Sequence, residues 1–570
     1  MPVVYLVFLI ILIVLLIDQR RQANRNRNKT MAKIRNNWGK LPDDASDEYD
    51  IESCSKLFYT HDKKRANLYI DDITSNDLEL DNFYCHINST QTSMGDNVLY
   101  SILRLPVYEK EKLAERVEMV DYWEKHEEDR EKVQLLLSGA GKFRPSHIAW
   151  ITGDCDFLEL NNQWLYKVLT FVPFLALPMA LLNIGAAALW GIFSIGVNIV
   201  FHEVVLKKIN SGLDSITQAS GIVALAEMLI HNRPEGLVNK YDELDGHAHA
   251  LKALRKRGTL DKMSVQSTGD LFRDSLSIYK MILLTDIWNY QASARFLKTH
   301  GEEMARLIHS IGELDATICI ASYRKSLDLW CQPLIMWEAG TETFSIKAES
   351  VVHPLIQNCT PNPVYVEKPM LLTGSNASGK STYLKTVAIN TLMVHTLGFC
   401  LAEQWTSKPL FPISSMALRD SILEGESYFV AEIKSLKRIF TMANNQIKCL
   451  CVIDEVLRGT NTIERIAASS RLLSALAALN TCLLAATHDT ELTHILNEVF
   501  DNKHFEEHIT DEDIHFDYKL KEGKATSRNA IKLLKLMCFE DDIIMSAEDA
   551  VASFENEKRW KHIRRNKINV

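Results

Sequence analysis

The sequence predicts a multidomain chain: transmembrane helices, an all-α core or lever domain, and a C-terminal α/β domain of the P-loop class. The first is predicted by apolar runs without a single charge, Val3–Ile17 and Val168–Phe201. The last is predicted by Met370-Leu-Leu-Thr-Gly-Ser-Asn-Ala-Ser-Gly-Lys-Ser-Thr382, where a short strand-like run leads into a glycine-rich turn and a helix. The chain of 570 residues is 24% charged with a net charge of −9, so no global basic field advertises nucleic acid.

Residues 1–17 read as a membrane anchor. Arg20, Arg21, Arg25, Arg27, Lys29, Lys33 and Arg35 follow the apolar run, and this basic excess places residue 18 onward in the cytoplasm. A cleavable signal would carry its charge before the run and small residues after it, so an uncleaved anchor is expected. Residues 18–55 form a polar linker, basic first and acidic from Asp43 to Glu52. Residues 56–345 read as the helical domain, interrupted at 164–201 by a second apolar stretch. A membrane crossing takes about 20 residues, so two tight spans are expected, Trp164–Leu182 and Ile184–Phe201, turning near Asn183, with Lys207 and Lys208 marking the return. The stretch shows no polar face at helical period, which disfavours the competing reading, a buried hairpin in a soluble core. A multi-pass protein of the cell membrane is expected, with its helical core and C-terminal α/β domains cytoplasmic.

The phosphate-binding loop sets the chemistry of residues 346–555. Gly374 and Gly379 let the backbone curl so that the N–H groups of Ser375, Asn376, Ala377 and Ser378 point at phosphate oxygens. Lys380 reaches the β and γ phosphates, Ser381 offers a hydroxyl to Mg²⁺, and Thr382 continues into a helix whose positive end faces the anion. Cys449-Leu-Cys-Val-Ile-Asp-Glu455 reads as a buried parallel strand that delivers two carboxylates to its edge. Asp454 is expected to hold Mg²⁺ and Glu455 to polarise the attacking water. A further apolar strand, Cys482–Ala486, leads to Thr487-His488, whose imidazole is expected to sense the γ phosphate. ATP and Mg²⁺ are the implied ligands. The 11 cysteines are scattered with no C-x-x-C pair, so reduced thiols are expected.

These segments, with Asp420–Glu432, Ile453–Thr462 and Ala486–Leu492, resemble the MutS family of DNA mismatch-repair ATPases in motif and order. The resemblance implies an ABC-type ATPase whose signature loop carries Ser427 into a partner subunit's nucleotide site, with Gly425, Phe429 and Glu432 around it. It also implies that Gly459–Thr462 contacts the partner, so a dimer is expected. Asp71–Leu80, Thr90–Gly95 and Leu99–Pro106 are similar to the start of the family's helical core, and Glu313–Ala316 and His353–Leu355 to its return. The family likewise implies duplex DNA as a partner. Local basic candidates are Lys252, Arg255, Lys256 and Arg257, and the basic tail 556–570, which equally suits a lipid bilayer.

Departures from the pattern narrow the expectation. Only about 50 residues separate the first apolar run from the core, too few for the family's wedge-carrying mismatch domain, and Phe157-Leu-Glu159 matches its three-letter pattern in the wrong context. Mismatch specificity is therefore not expected, nor is a nuclease in the short tail. The sequence reads as a membrane-anchored, DNA-binding ATPase with composite dimer sites, with levers between about 211 and 330. The alternative is an ABC-type mechanical ATPase acting on a protein or lipid partner; three spans per subunit hardly support a transporter.

Overall fold

The computed structural model describes residues 2–42, 51–142, 148, 151–152, 163–266, 282–338, 343–375, 378–416, 428–444, 447–458, 460–509, 514–525, 530–537, 539–557 and 559–560. The chain divides into two compact units, one of Met1–Tyr69 with Asp81–Asp328, the other of Ile70–Leu80 with Leu329–Val570.

All described elements of the first unit are helices. Pro2–Asn37 is one continuous helix, so the apolar run and its basic flank share one rod. Gly301–Lys325 is the central helix, burying a stripe with Leu307, Ile308 and Ile311 in its first half and every residue from Leu314 to Arg324 in its second, and it packs on Ser93–Arg104 and Lys110–Lys125. Its buried Asp315 accepts from the backbone N–H groups of Gln91 (3.0 Å) and Thr92 (2.8 Å), and from the Thr92 hydroxyl at 2.7 Å. Burial pushes this carboxyl up to about 6.

The apolar stretch departs from two uniform spans. Gln163–Phe171 is helical, Val172–Leu175 tightens into a 3₁₀ turn around Pro173, and Ala176–Ala180 resumes the helix. The predicted turn at Asn183 is present, and its side chain caps the next helix by accepting from Ala186 N–H at 3.1 Å. That helix, Ile184–His231, runs 48 residues without a break. Lys207 and Lys208 therefore lie within it rather than at its end. It is about 72 Å long at 1.5 Å per residue.

The expectation of no polar face is corrected. Ser194, Asn198 and His202 recur every fourth residue and are buried, while Leu189, Ile192, Phe193 and Val200 face outward at 66–73% exposure. Asn198 Nδ2 donates to Leu169 O (2.9 Å) and Ile282 O (2.7 Å), and Trp190 Nε1 to Val172 O at 3.1 Å. The hairpin is not a buried core element: Leu181 and Leu182 at its tip are 89% and 90% exposed.

The second unit is built on six strands: β1 (Met370–Thr373), β2 (Phe411–Ser415), β3 (Cys449–Asp454), β4 (Thr481–Ala486), β5 (Asp501–His504) and β6 (Lys521–Glu522). They lie in the order β6-β5-β1-β4-β3-β2, and only β6 is antiparallel to its neighbour. The inner strands β1 and β3 are buried at every position, as their continuous apolar runs require of a sheet covered on both faces. A smaller four-stranded sheet carries Ile346–Val351 and Asn362–Val366.

Residues 70–80 pack into this unit although their sequence resembles the start of the helical core. Asp77 Oδ2 accepts from Ser414 Oγ (2.6 Å) and Met416 N–H (3.0 Å), Asp71 pairs with Arg438, and Glu79 pairs with Lys385 at 2.7 Å. Burial raises the Asp77 carboxyl, and its hydrogen bonds with Ser414 and Met416 oppose that rise.

Candidate nucleotide site

Parallel strands end on the same edge of a sheet, so β1, β3 and β4 bring the residues after them together. The loop after β1 starts at Gly374, φ 145°, where a Cβ would lie 2.6 Å from Phe505 O and 2.9 Å from Ser378 Oγ. It closes at Gly379, φ 103°, which leads into the helix Lys380–Thr396. Both positions require glycine.

Lys380 is buried and its ammonium donates to the loop carbonyls of Gly374 (2.8 Å) and Ser375 (2.6 Å). Burial lowers its pKa, opposed by the charges of Asp454 and Glu455. Ser381 Oγ donates to Asp454 Oδ2 at 2.5 Å, and Ser375 Oγ donates to Glu507 Oε2 at 2.9 Å. Ser378 is buried in the loop, and Thr382 lies exposed on the first turn of the helix.

Glu455 comes directly after β3 in the left-handed region, φ 58°, with its N–H bonded to Ala486 O at 2.9 Å. This conformation is uncommon for a non-glycine residue. Its carboxylate meets His488 Nε2 at 2.9 Å on one side and the Arg458 guanidinium on the other. Burial would raise the Glu455 pKa, but the His488 hydrogen bond and the Arg458 charge outweigh it and hold the carboxyl below its ordinary range. Arg465 grips Asp489, next to His488, through two bonds of 2.8 and 2.6 Å.

A cleft of about 510 Å³ joins these groups. Ser375, Lys380, Ser381, Asp454, Glu455, Arg458 and His488 line its polar end; Val351, Ile356, Phe505 and Tyr518 give it apolar surface. Size and lining suit a small anionic ligand with an apolar part. Asn376, Ala377 and Ser427 lie outside the described residues, as do Gly425 and Gly459. Glu432 is buried, and its Oε1 accepts from Arg458 N–H at 3.2 Å. Among the basic candidates, Arg255 pairs with Glu227.

Sequence reasoning missed Arg458, Glu507 and Tyr518. Arg458 stands three residues after Glu455, a spacing that was available to inspection. Tyr518 reaches the cleft, and Glu507 the loop residue Ser375, only through tertiary folding.

Residues 370–555 match the model of MutS domain V. Over 322 residues the chain is 28% identical to a DNA mismatch repair protein MutS of Aquifex pyrophilus, covering 53% of this chain and 36% of that protein. The corresponding protein of Petrotoga mobilis is 26% identical over 48% of this chain and 35% of its own length. MutS protein homolog 4 of Homo sapiens is 32% identical over 37% of this chain and 24% of its own length. The chain thus spans about a third of the bacterial relatives' length and less of the human one.

Proposed function

We propose that this chain, which belongs to the MutS family, is a Mg²⁺-dependent ATPase that is anchored in a membrane, works as a dimer and engages duplex DNA. The observation that carries the ATPase is the gathering of the phosphate loop, Ser381 with Asp454, and Glu455 with His488 around one cleft. Phosphoryl transfer is mostly positioning and electrostatics, and these groups supply both. Lys380 binds phosphate once it turns from the loop carbonyls. Glu455, oriented by His488 and Arg458, holds the attacking water. The hydroxyl of Ser381 and the carboxylate of Asp454 are hard oxygen donors suited to Mg²⁺, which when bound neutralises charge on the phosphates.

Glu455→Ala tests this site. ATP binding should persist while turnover slows roughly a hundredfold, as expected when water positioning and charge stabilisation are lost. Lys380→Ala should weaken binding itself, and unchanged turnover in both variants would remove the assignment.

Dimerisation and DNA binding rest on the family resemblance, with Ser427 entering the partner's site. Membrane anchoring is supported by the apolar helix Pro2–Asn37 and by the outward Leu189, Ile192 and Phe193. That same outward apolar surface favours a second reading, a membrane ATPase that moves a protein or lipid partner. Binding of the detergent-solubilised chain to duplex DNA across a salt series separates the two, because phosphate contacts give a steep salt slope.

A further inference from the structure

A cluster of metal-ligating side chains lies in the helical unit, unrelated to the nucleotide cleft. His61 and Asp62 end the π-helical turn Phe58–Asp62, and His309 sits on the helix Gly301–Lys325. Their donor atoms lie within 4.8 Å of one another. The turn matters because one extra residue per hydrogen-bonded loop swings neighbouring side chains onto one face, and such turns concentrate at functional sites. Asp62 is buried, and its Oδ1 meets both His61 Nδ1 and His309 Nε2 at 2.8 Å.

We propose that His61, Asp62 and His309 bind a divalent transition ion of the zinc class, tying the 58–62 turn to the helix that carries His309. Two imidazoles and one carboxylate form a borderline-soft donor set of the kind zinc takes, with a position left for water. The surroundings match what such a site needs beyond its ligands. Ser101 Oγ donates to Asp62 Oδ2 at 2.5 Å and fixes the carboxylate. His61 Nε2 is buried without a hydrogen-bond partner, and Glu302 Oε2 lies 3.9 Å away, where a small closure makes it the acceptor for the imidazole N–H. A ligating histidine normally donates its second N–H to a carboxylate, a backbone carbonyl or water. Arg65 and Arg306 both face Glu302, which directs that carboxylate to an outer role rather than onto the ion.

The competing occupant is a pair of protons, one on each histidine nitrogen facing Asp62. The full-length chain in detergent, stripped with a chelator and then titrated with Zn²⁺, distinguishes the two. A saturable site of about one ion per chain is expected, with a rise in thermal midpoint on loading. His309→Gln, at a partly exposed side chain, should abolish both; His61→Gln should do the same. Ser101→Ala should weaken the site by roughly tenfold while the fold survives, as outer partners of metal ligands do. Substituting Co²⁺ should give visible absorption bands that His309→Gln removes. If the parent chain and His309→Gln take up the same amount of Zn²⁺ with the same thermal shift, or if neither takes up any, the site is refuted and the cluster is a proton-sharing triad.

Discussion

The two halves of the helix Ile184–His231 are both apolar enough to resemble membrane spans, yet they expose different surfaces. From Val205 to Leu229 the arrangement is that of a water-soluble protein: Ile209, Ile216, Ile222, Val223 and Leu225 are buried, while Lys207, Lys208 and Asp214 are exposed. From Ile184 to His202 it inverts, with Ser194, Asn198 and His202 inside and Leu189, Ile192, Phe193 and Val200 outside. Mean hydropathy separates the two ends only modestly, 1.9 over Ile184–Asn210 against 1.3 over Gly212–His231. Ser215 and Ser220 are buried in the second half too, so what distinguishes the halves is what they expose, apolar side chains in the first and charged ones in the second. A polar side chain turned inward beneath an apolar exterior is what a hydrocarbon solvent selects, because it must find its partner within the protein. The outer surface of this one rod thus changes from apolar to charged between Val200 and Lys207.

The largest effect expected from breaking this contrast lies in the inward-apolar half. Val223 is fully buried, so Val223→Asp places an unpaired carboxylate among apolar side chains. We expect a loss of more than about 3 kcal/mol of stability, read by denaturant unfolding of the solubilised chain. A loss below about 1 kcal/mol would mean that this half is not packed as described.

The next effect concerns the other half. Ile192 is 73% exposed, and Ile192→Lys near the middle of the apolar segment should cost about 3 kcal/mol of insertion if that surface meets lipid. In water the same change would stay within about 0.5 kcal/mol. The readout is single-cysteine labelling from outside intact cells: a probe at Asn183 should react, probes at Asn67 and Asn210 should not, and Ile192→Lys should suppress the reaction at Asn183. Labelling at Asn210 but not Asn67 would make the run a single crossing and overturn the topology.

Asn198 gives a smaller, more local test. Its amide donates to two backbone carbonyls, Leu169 O and Ile282 O, which lose that donor in Asn198→Leu. Interhelical bonds of this kind within membranes are worth about 0.6 to 1.7 kcal/mol. A shift in that range in detergent or bicelle unfolding is expected; a stabilised variant would show that the inward polar line carries no packing role.

The inversion was hidden and the nucleotide cleft legible because the two are encoded over different distances. The phosphate loop, the Asp454-Glu455 pair and Thr487-His488 are each local strings, and parallel pairing of β1, β4 and β3 then brings the strand ends together. The turn at Asn183 was legible for the same reason, since an asparagine between apolar runs is a ready cap for the second of them. The line Ser194–Asn198–His202 is sparse, and small or aromatic residues dilute it, so an average over the helix does not show it. The docking of 70–80 onto Ser414, Met416 and Arg438 was not readable at all, because these partners lie more than 300 residues away. Tyr518 joins the cleft, and Glu507 joins Ser375, in the same nonlocal way.

The smallest effect is at the tip, and it asks where water begins. The Asn183 side chain accepts from Ala186 N–H at 3.1 Å, and Leu181, Leu182 and Ile184 around it are 78–90% exposed. Asn183→Ala removes the cap. If the tip emerges into water or headgroups, solvent satisfies the freed N–H and the loss is about 1 kcal/mol, with Asn183→Asp restoring most of it through the same acceptor geometry and the helix dipole. If the tip stops within hydrocarbon, no solvent replaces the cap and the loss reaches several kcal/mol, while a carboxylate there is penalised rather than helpful. Unfolding free energies of the two variants in bicelles therefore locate the tip by sign as well as size: Asp near the parent and Ala about 1 kcal/mol below it is the expected order, and Asp below Ala would end the two-span reading.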